Sequence, residues 1–117
     1  MLFRSPLIPP IQGLAGTPYW TNREIVQTEQ VPGSMIVLGG GAIGTELAQV
    51  FSRFGTEVTV VEAQPRLVPF EEPEASELIE RIFSAEGIRV CTSAPAERVS
   101  HNGAHFTVHL GDGVFTA

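Results

Sequence analysis

The chain has 117 residues, 43% of them apolar, with 7 Lys+Arg against 13 Asp+Glu and a net charge of −6. That length suits one domain with a true apolar core, and the balance excludes a disordered chain. An acidic chain without a basic tract is a poor match for nucleic acid or an anionic membrane.

Ser5 to Pro18 holds Pro6, Pro9, Pro10 and Pro18 with Gly13 and Gly16 between them. Proline removes donors and extends the residue before it, so this segment reads as an extended lead-in. Thr21-Asn22-Arg23-Glu24 supplies an N-cap oxygen with an acid close behind, which predicts a short helix from about Arg23 to Thr28. Val31-Pro32-Gly33-Ser34 then breaks the chain. Residues 1–30 are therefore set apart from a domain over 31–117.

Met35-Ile36-Val37-Leu38 is a continuous apolar run, the mark of a strand buried on both faces. It leads straight into Gly39-Gly40-Gly41-Ala42-Ile43-Gly44. Ile43, Leu47, Val50, Phe51 and Phe54 then recur at helical spacing, predicting a buried stripe, and Gly55 stops the helix. Val58-Thr59-Val60-Val61 is a second strand. At this minimal length the two strands must be parallel, joined by a crossover helix. A second helix starts near Pro73, with Glu71, Glu72 and Glu74 at its positive end. Its predicted stripe is Ala75, Leu78, Ile79, Ile82 and Phe83; Gly87 closes it, and Ile88 to Cys91 makes a third strand. Beyond Pro95 the period falls to two. Ala96–His101 and Ala104–Leu110 flank Asn102-Gly103, a two-residue hairpin signal, and Asp112-Gly113 offers a second turn before Val114 to Ala117. The fold class expected is α/β: a Rossmann-like βαβαβ parallel sheet with an antiparallel β-meander.

The glycines match G-x-G-x-x-G at Gly39, Gly41 and Gly44, after a buried strand and at the opening of a helix. Gly39 makes the tight turn, Gly41 admits a pyrophosphate and Gly44 allows close helix–strand packing. The amides of Gly41, Ala42 and Ile43 would face the anion, aided by the helix dipole. Glu62 ends the second strand, 18 residues past Gly44, near the roughly 20 expected of an acid that binds the adenosine ribose. A carboxylate accepts from the ribose diol and repels a 2′-phosphate, which favours NAD over NADP. Arg66 pulls the other way if it pairs with such a phosphate, and is otherwise a solvated loop arginine.

The run Ile36 to Ala48, with Glu46 within it, followed by Gly55 to Glu62, resembles the NAD(P)H domain of the pyridine nucleotide-disulfide oxidoreductases, dihydrolipoamide dehydrogenases and mercuric reductases above all. The lead-in Pro9-Pro10-Ile11-Gln12-Gly13-Leu14 resembles that family's crossing from its FAD domain. The resemblance implies that Ile43 packs by the nicotinamide, that Glu46 lies near nicotinamide and flavin, and that FAD is bound by a separate domain of the parent enzyme. It also implies departures. The family's cysteine pair, its FAD fingerprint and its histidine base have no counterpart here, so the chain alone is expected to lack turnover. The domain is expected to be incomplete at its C-terminal end, without the strand that returns beside the first. That predicts an open sheet edge, covered either by Leu2 to Ile8 or by a second copy in a homodimer; Pro6 favours the homodimer.

Other candidates are weaker. His101, His105 and His109 invite a metal reading, but 105 and 109 would stand about 13 Å apart on one strand face, and His101 would lie opposite Ala104. Cys91 reads as a small buried apolar residue rather than a nucleophile, and as the single cysteine it excludes an internal disulfide. Tyr19 and Trp20 read as an anchor for a flanking segment rather than a base-stacking platform. A methyltransferase glycine loop would carry an acid where Leu38 stands. A regulatory nucleotide-binding module without chemistry remains the alternative function. No transmembrane run or secretion signal is visible, so a cytoplasmic setting is expected.

Overall fold

The computed structural model describes residues 1–5, 10–69, 71–111 and 113–117. In chain order its elements are β1 (Leu2–Arg4), a 3₁₀ turn (Leu14–Gly16), α1 (Asn22–Gln27), β2 (Ser34–Leu38), α2 (Ala42–Arg53), β3 (Glu57–Val61), α3 (Pro73–Ala85) and β4 (Arg89–Cys91). The meander follows as β5 (Arg98–His101), β6 (Phe106–His109) and β7 (Val114–Thr116). The first sheet is parallel throughout, in the order β1-β2-β3-β4, and the second is antiparallel, β5-β6-β7. The α/β class and the meander are thus as the sequence implied. Pro6, Pro9 and Asp112, and with them the fold-back beyond Ser5 and the second turn's first residue, lie outside the described residues.

Three layers result, because the apolar strands bury both faces. Met35, Val37, Val58 and Val60 point to the helices, where Ala48, Phe51, Phe83 and Leu67 cover them. Ile36, Leu38 and Val61 point to the meander and meet Val99, Phe106 and Val108. Alternate residues of one strand therefore serve two cores.

Four expectations are corrected. First, the edge beside β2 is not open. Leu2, Phe3 and Arg4 pair in parallel with Ile36, Val37 and Leu38, and both Leu2 and Phe3 are fully buried. On its far side β1 is tied to Trp20, whose N–H donates to Leu2 O at 2.8 Å and whose carbonyl accepts from Arg4 N at 2.9 Å. Within the described residues the pairing reaches Ser5 N on Leu38 O, all of it preceding Pro6 in the chain. This removes the edge on which homodimer formation was expected.

Second, the stripe of α2 is rotated. Gly44, Thr45, Ala48 and Phe51 are its buried residues, whereas Ile43, Val50 and Phe54 are exposed. A β-carbon on Gly44 would run into Gly39 O, and lies 3.3 Å from Val37 Cγ1. So close an approach demands small residues on the inner face and leaves the larger apolar ones beside it. Third, α3 does the same: Ser76 and Phe83 are buried, Leu78 and Ile82 exposed. Fourth, the hairpin loop has four residues, and His101 pairs with Phe106 rather than Ala104. Asn102 Oδ1 accepts the N–H groups of both Ala104 and His105, at 2.9 and 2.8 Å, which widens the expected two-residue turn.

Candidate functional site

The site grows from the end of β2. Gly39 continues the sheet by donating to Val61 O, then turns the chain at φ +103°, a conformation that side chains avoid. Gly41 is the N-cap of α2 and has no side-chain cap. The first helical bond is Thr45 N–H to Gly41 O at 3.0 Å, so the amides of Gly41, Ala42 and Ile43 precede the helix's own acceptors. A β-carbon on Gly41 would meet nothing within 4 Å. The helix therefore opens, amides foremost, onto free space: the requirement for receiving an anion is met.

Glu62 directly follows β3 and is buried at 8% exposure, yet both carboxylate oxygens are engaged by main chain. Oε1 accepts from Gly40 N at 2.9 Å and Oε2 from Gln64 N at 2.8 Å. The two halves of the fingerprint are thus in hydrogen-bond contact across 22 residues of chain. Each oxygen keeps a second acceptor site for a diol. A cleft of about 150 Å³ lies alongside, its lining including Leu38, Gly39, Val61, Glu62, Ala94 and Pro95. Ile43 is exposed at 37%, and Glu46 is exposed near the start of α2.

Arg66 departs from the reading of it as a solvated loop arginine. Nη1 donates to Glu71 O and Ser76 Oγ, both at 2.8 Å, and Nη2 to Pro69 O at 2.9 Å. It is a bound arginine, not a solvated one. Sequence reasoning also passed over Gly40, the variable position of the motif. A β-carbon there would stand 2.5 Å from Leu67 Cδ2 and 3.2 Å from Glu62 Cβ. The signal was present in the unbroken Gly39-Gly40-Gly41.

The remaining candidates are not brought together. His101 lies on Phe106 with ring centres 4.5 Å apart, His109 faces Arg98, and His105 is exposed. Among the described residues no group of three metal-ligating side chains forms. Cys91 is half-buried, a correction to its expected full burial; desolvation pushes its thiol up, against the opposing charge of Arg89. Trp20 packs on Phe51 at 6.4 Å, and its main chain anchors β1. No helix among the described residues is long and apolar enough to cross a membrane.

The family model described as pyridine nucleotide-disulphide oxidoreductase matches residues 4–115. A mercuric reductase of Shewanella putrefaciens is 39% identical over 109 residues, which cover 93% of this chain and 19% of that protein. A dihydrolipoyl dehydrogenase of Chlorobaculum tepidum is 46% identical over 80 residues, covering 68% of this chain and 17% of the relative. Among solved structures, the Cu(II) complex of the HOCl-induced flavoprotein disulfide reductase RclA from Escherichia coli superposes with a TM-score of 0.85 at 30% identity, over 97% of this chain and 28% of that one. The chain spans about a fifth of the length of the curated relatives it matches.

Proposed function

The chain belongs to the pyridine nucleotide-disulphide oxidoreductase family, and from that premise we propose that it is the NAD(H)-binding part of an FAD-dependent enzyme. Its task is to hold NADH so that a hydride passes to a flavin carried by another domain. The observation that carries the reading is the uncapped N-terminus of α2, with open space at Gly41 and the Glu62 carboxylate hydrogen-bonded to the same loop. Gly41, Ala42 and Ile43 would offer main-chain N–H groups to the pyrophosphate. Glu62 would accept the ribose hydroxyls, and its charge would oppose a 2′-phosphate, so NAD(H) is preferred over NADP(H). Ala63, Ala94 and Pro95 give the cleft an apolar wall for the adenine. The nicotinamide supplies the hydride chemistry when bound; this chain's residues bind and orient it.

Ile43 and Glu46 lie on the nicotinamide side in this reading. The exposed flank formed by Ile43, Val50 and Phe54 supports contact with the FAD domain of the same enzyme. We place such an enzyme in the cytoplasm.

Titration calorimetry with NADH and NADPH tests the proposal. NADH should bind more tightly, and Glu62→Ala should narrow the gap by about 1–3 kcal/mol, the scale for losing hydrogen bonds to a charged group. Absence of binding, or preference for NADPH, would refute it.

A further inference from the structure

We infer that Arg66 is a positioning residue that fixes the glycine loop from behind, acting through Leu67 and Val68, and is not a ligand for a 2′-phosphate; this rests on the dinucleotide reading above. Val68 is a β-branched residue at φ +41°, buried at 6% exposure. Such a residue in left-handed geometry persists only where its surroundings over-determine it, and these outliers gather at functional sites.

Its amide explains the geometry. Val68 N–H donates to Gly40 O at 2.7 Å, while Gly40 N–H donates to Glu62 Oε1 at 2.9 Å. The Gly40 residue is therefore gripped at both its carbonyl and its amide, one residue ahead of the open amides of α2. Leu67, fully buried, fills the space a β-carbon on Gly40 would need.

What over-determines Val68 is the arginine. Arg66 joins the carbonyls of Pro69 and Glu71 to Ser76 Oγ, and Ser76 Oγ donates in turn to Leu67 O at 2.6 Å. One guanidinium thus closes the loop onto the first turn of α3, on either side of Val68. The planar fork suits several fixed acceptors at once, which a lysine ammonium matches only in part. With three of its five donors committed to the protein, Arg66 keeps only two for any phosphate.

The test uses the full chain as wild type, Arg66→Ala, Arg66→Lys and Ser76→Ala, with NADH and NADPH titrated into each and amide hydrogen exchange measured without nucleotide. In Arg66→Ala both nucleotides should weaken by the same factor, roughly 3- to 30-fold, since both share the pyrophosphate site. Arg66→Lys should recover part of the loss, and Ser76→Ala, which keeps the arginine, should shift affinity in the same direction. Exchange at Gly40 and Val68 should quicken in Arg66→Ala while Val37 and Leu38 in β2 stay protected. A loss confined to NADPH would show direct phosphate contact and overturn the inference. A lower Tm with unchanged affinities would reduce Arg66 to a structural brace and overturn it equally. If the wild type bound neither nucleotide, the dinucleotide reading would fall, and unchanged exchange at Gly40 and Val68 would then overturn the positioning role by itself.

Discussion

Replacing Gly44 by alanine tests whether helix and strand meet as closely as the fold requires. Inside a helix, alanine is preferred to glycine by about 0.5–1 kcal/mol, so the substitution would stabilise α2 if nothing opposed it. Here the added carbon would overlap Gly39 O and stand 3.2 Å from Gly39 C and 3.3 Å from Val37 Cγ1. Inserting a methyl into a filled space costs about 1–3 kcal/mol, and the upper end applies because the obstacle is main chain. The net loss should be about 1–2 kcal/mol, or a fall in Tm of roughly 4–8 °C for a chain of this size. Urea denaturation followed by circular dichroism measures it. Gly41→Ala is the control: φ is −77° and the space is empty, so stability should change by less than about 1 kcal/mol while nucleotide affinity falls. An unchanged or raised midpoint for Gly44→Ala would refute the close-approach argument for the rotated face of α2.

Two further outcomes are expected. Phe3→Ala should cost about 3–5 kcal/mol in chemical denaturation, because a fully buried phenyl ring is removed from the helix-side core; a loss below about 1 kcal/mol would mean that β1 is not a member of the sheet. Thr21 Oγ1 donates to Glu24 Oε2 at 2.6 Å, and this bond holds the Glu24 carboxyl below its usual range. A depressed folded-state pKa stabilises the fold above the ordinary glutamate value and loses that contribution as pH falls through the folded one. The stability difference between wild type and Glu24→Gln should therefore shrink on titration from about pH 6 to about pH 3; a constant difference would contradict the Thr21–Glu24 hydrogen bond.

The parts of the fold that were legible in the sequence are those in which chemistry and geometry coincide at single residues. A strand buried on both faces needs an unbroken apolar run, and Met35 to Leu38 is one. A left-handed turn straight after a strand favours glycine, as at Gly39, and an acid that hydrogen-bonds the glycine loop ends the next strand, as Glu62 does. The misreadings have separate causes. Hydrophobic periodicity weighs large side chains, whereas the buried face of α2 is selected for smallness by the Gly44–Gly39 contact. Ile43, Val50 and Phe54 were therefore assigned to the wrong side. In the hairpin the turn is set by a side chain, Asn102, that competes for the loop amides, and a dipeptide rule cannot see that competition. The pairing of β1 was obscured by Pro6, although three residues and Ser5 complete it before proline intervenes.

Three consecutive glycines illustrate why a motif's variable position still carries physics. Gly39 is needed for its dihedral angle, at φ +103°. Gly41 leaves the space ahead of the helix open, with nothing within 4 Å of its absent β-carbon. Gly40 faces the protein's interior, where Leu67 and Glu62 leave no room for a side chain. Part of the constraint at Gly40 comes from Glu62 and the loop after β3. It follows that changes at Leu67 or Val68 should alter the glycine loop as directly as changes within it. If the nucleotide reading holds, the site extends to residues that need never touch the ligand, because Gly40, gripped by Glu62 and Val68, leads directly into Gly41.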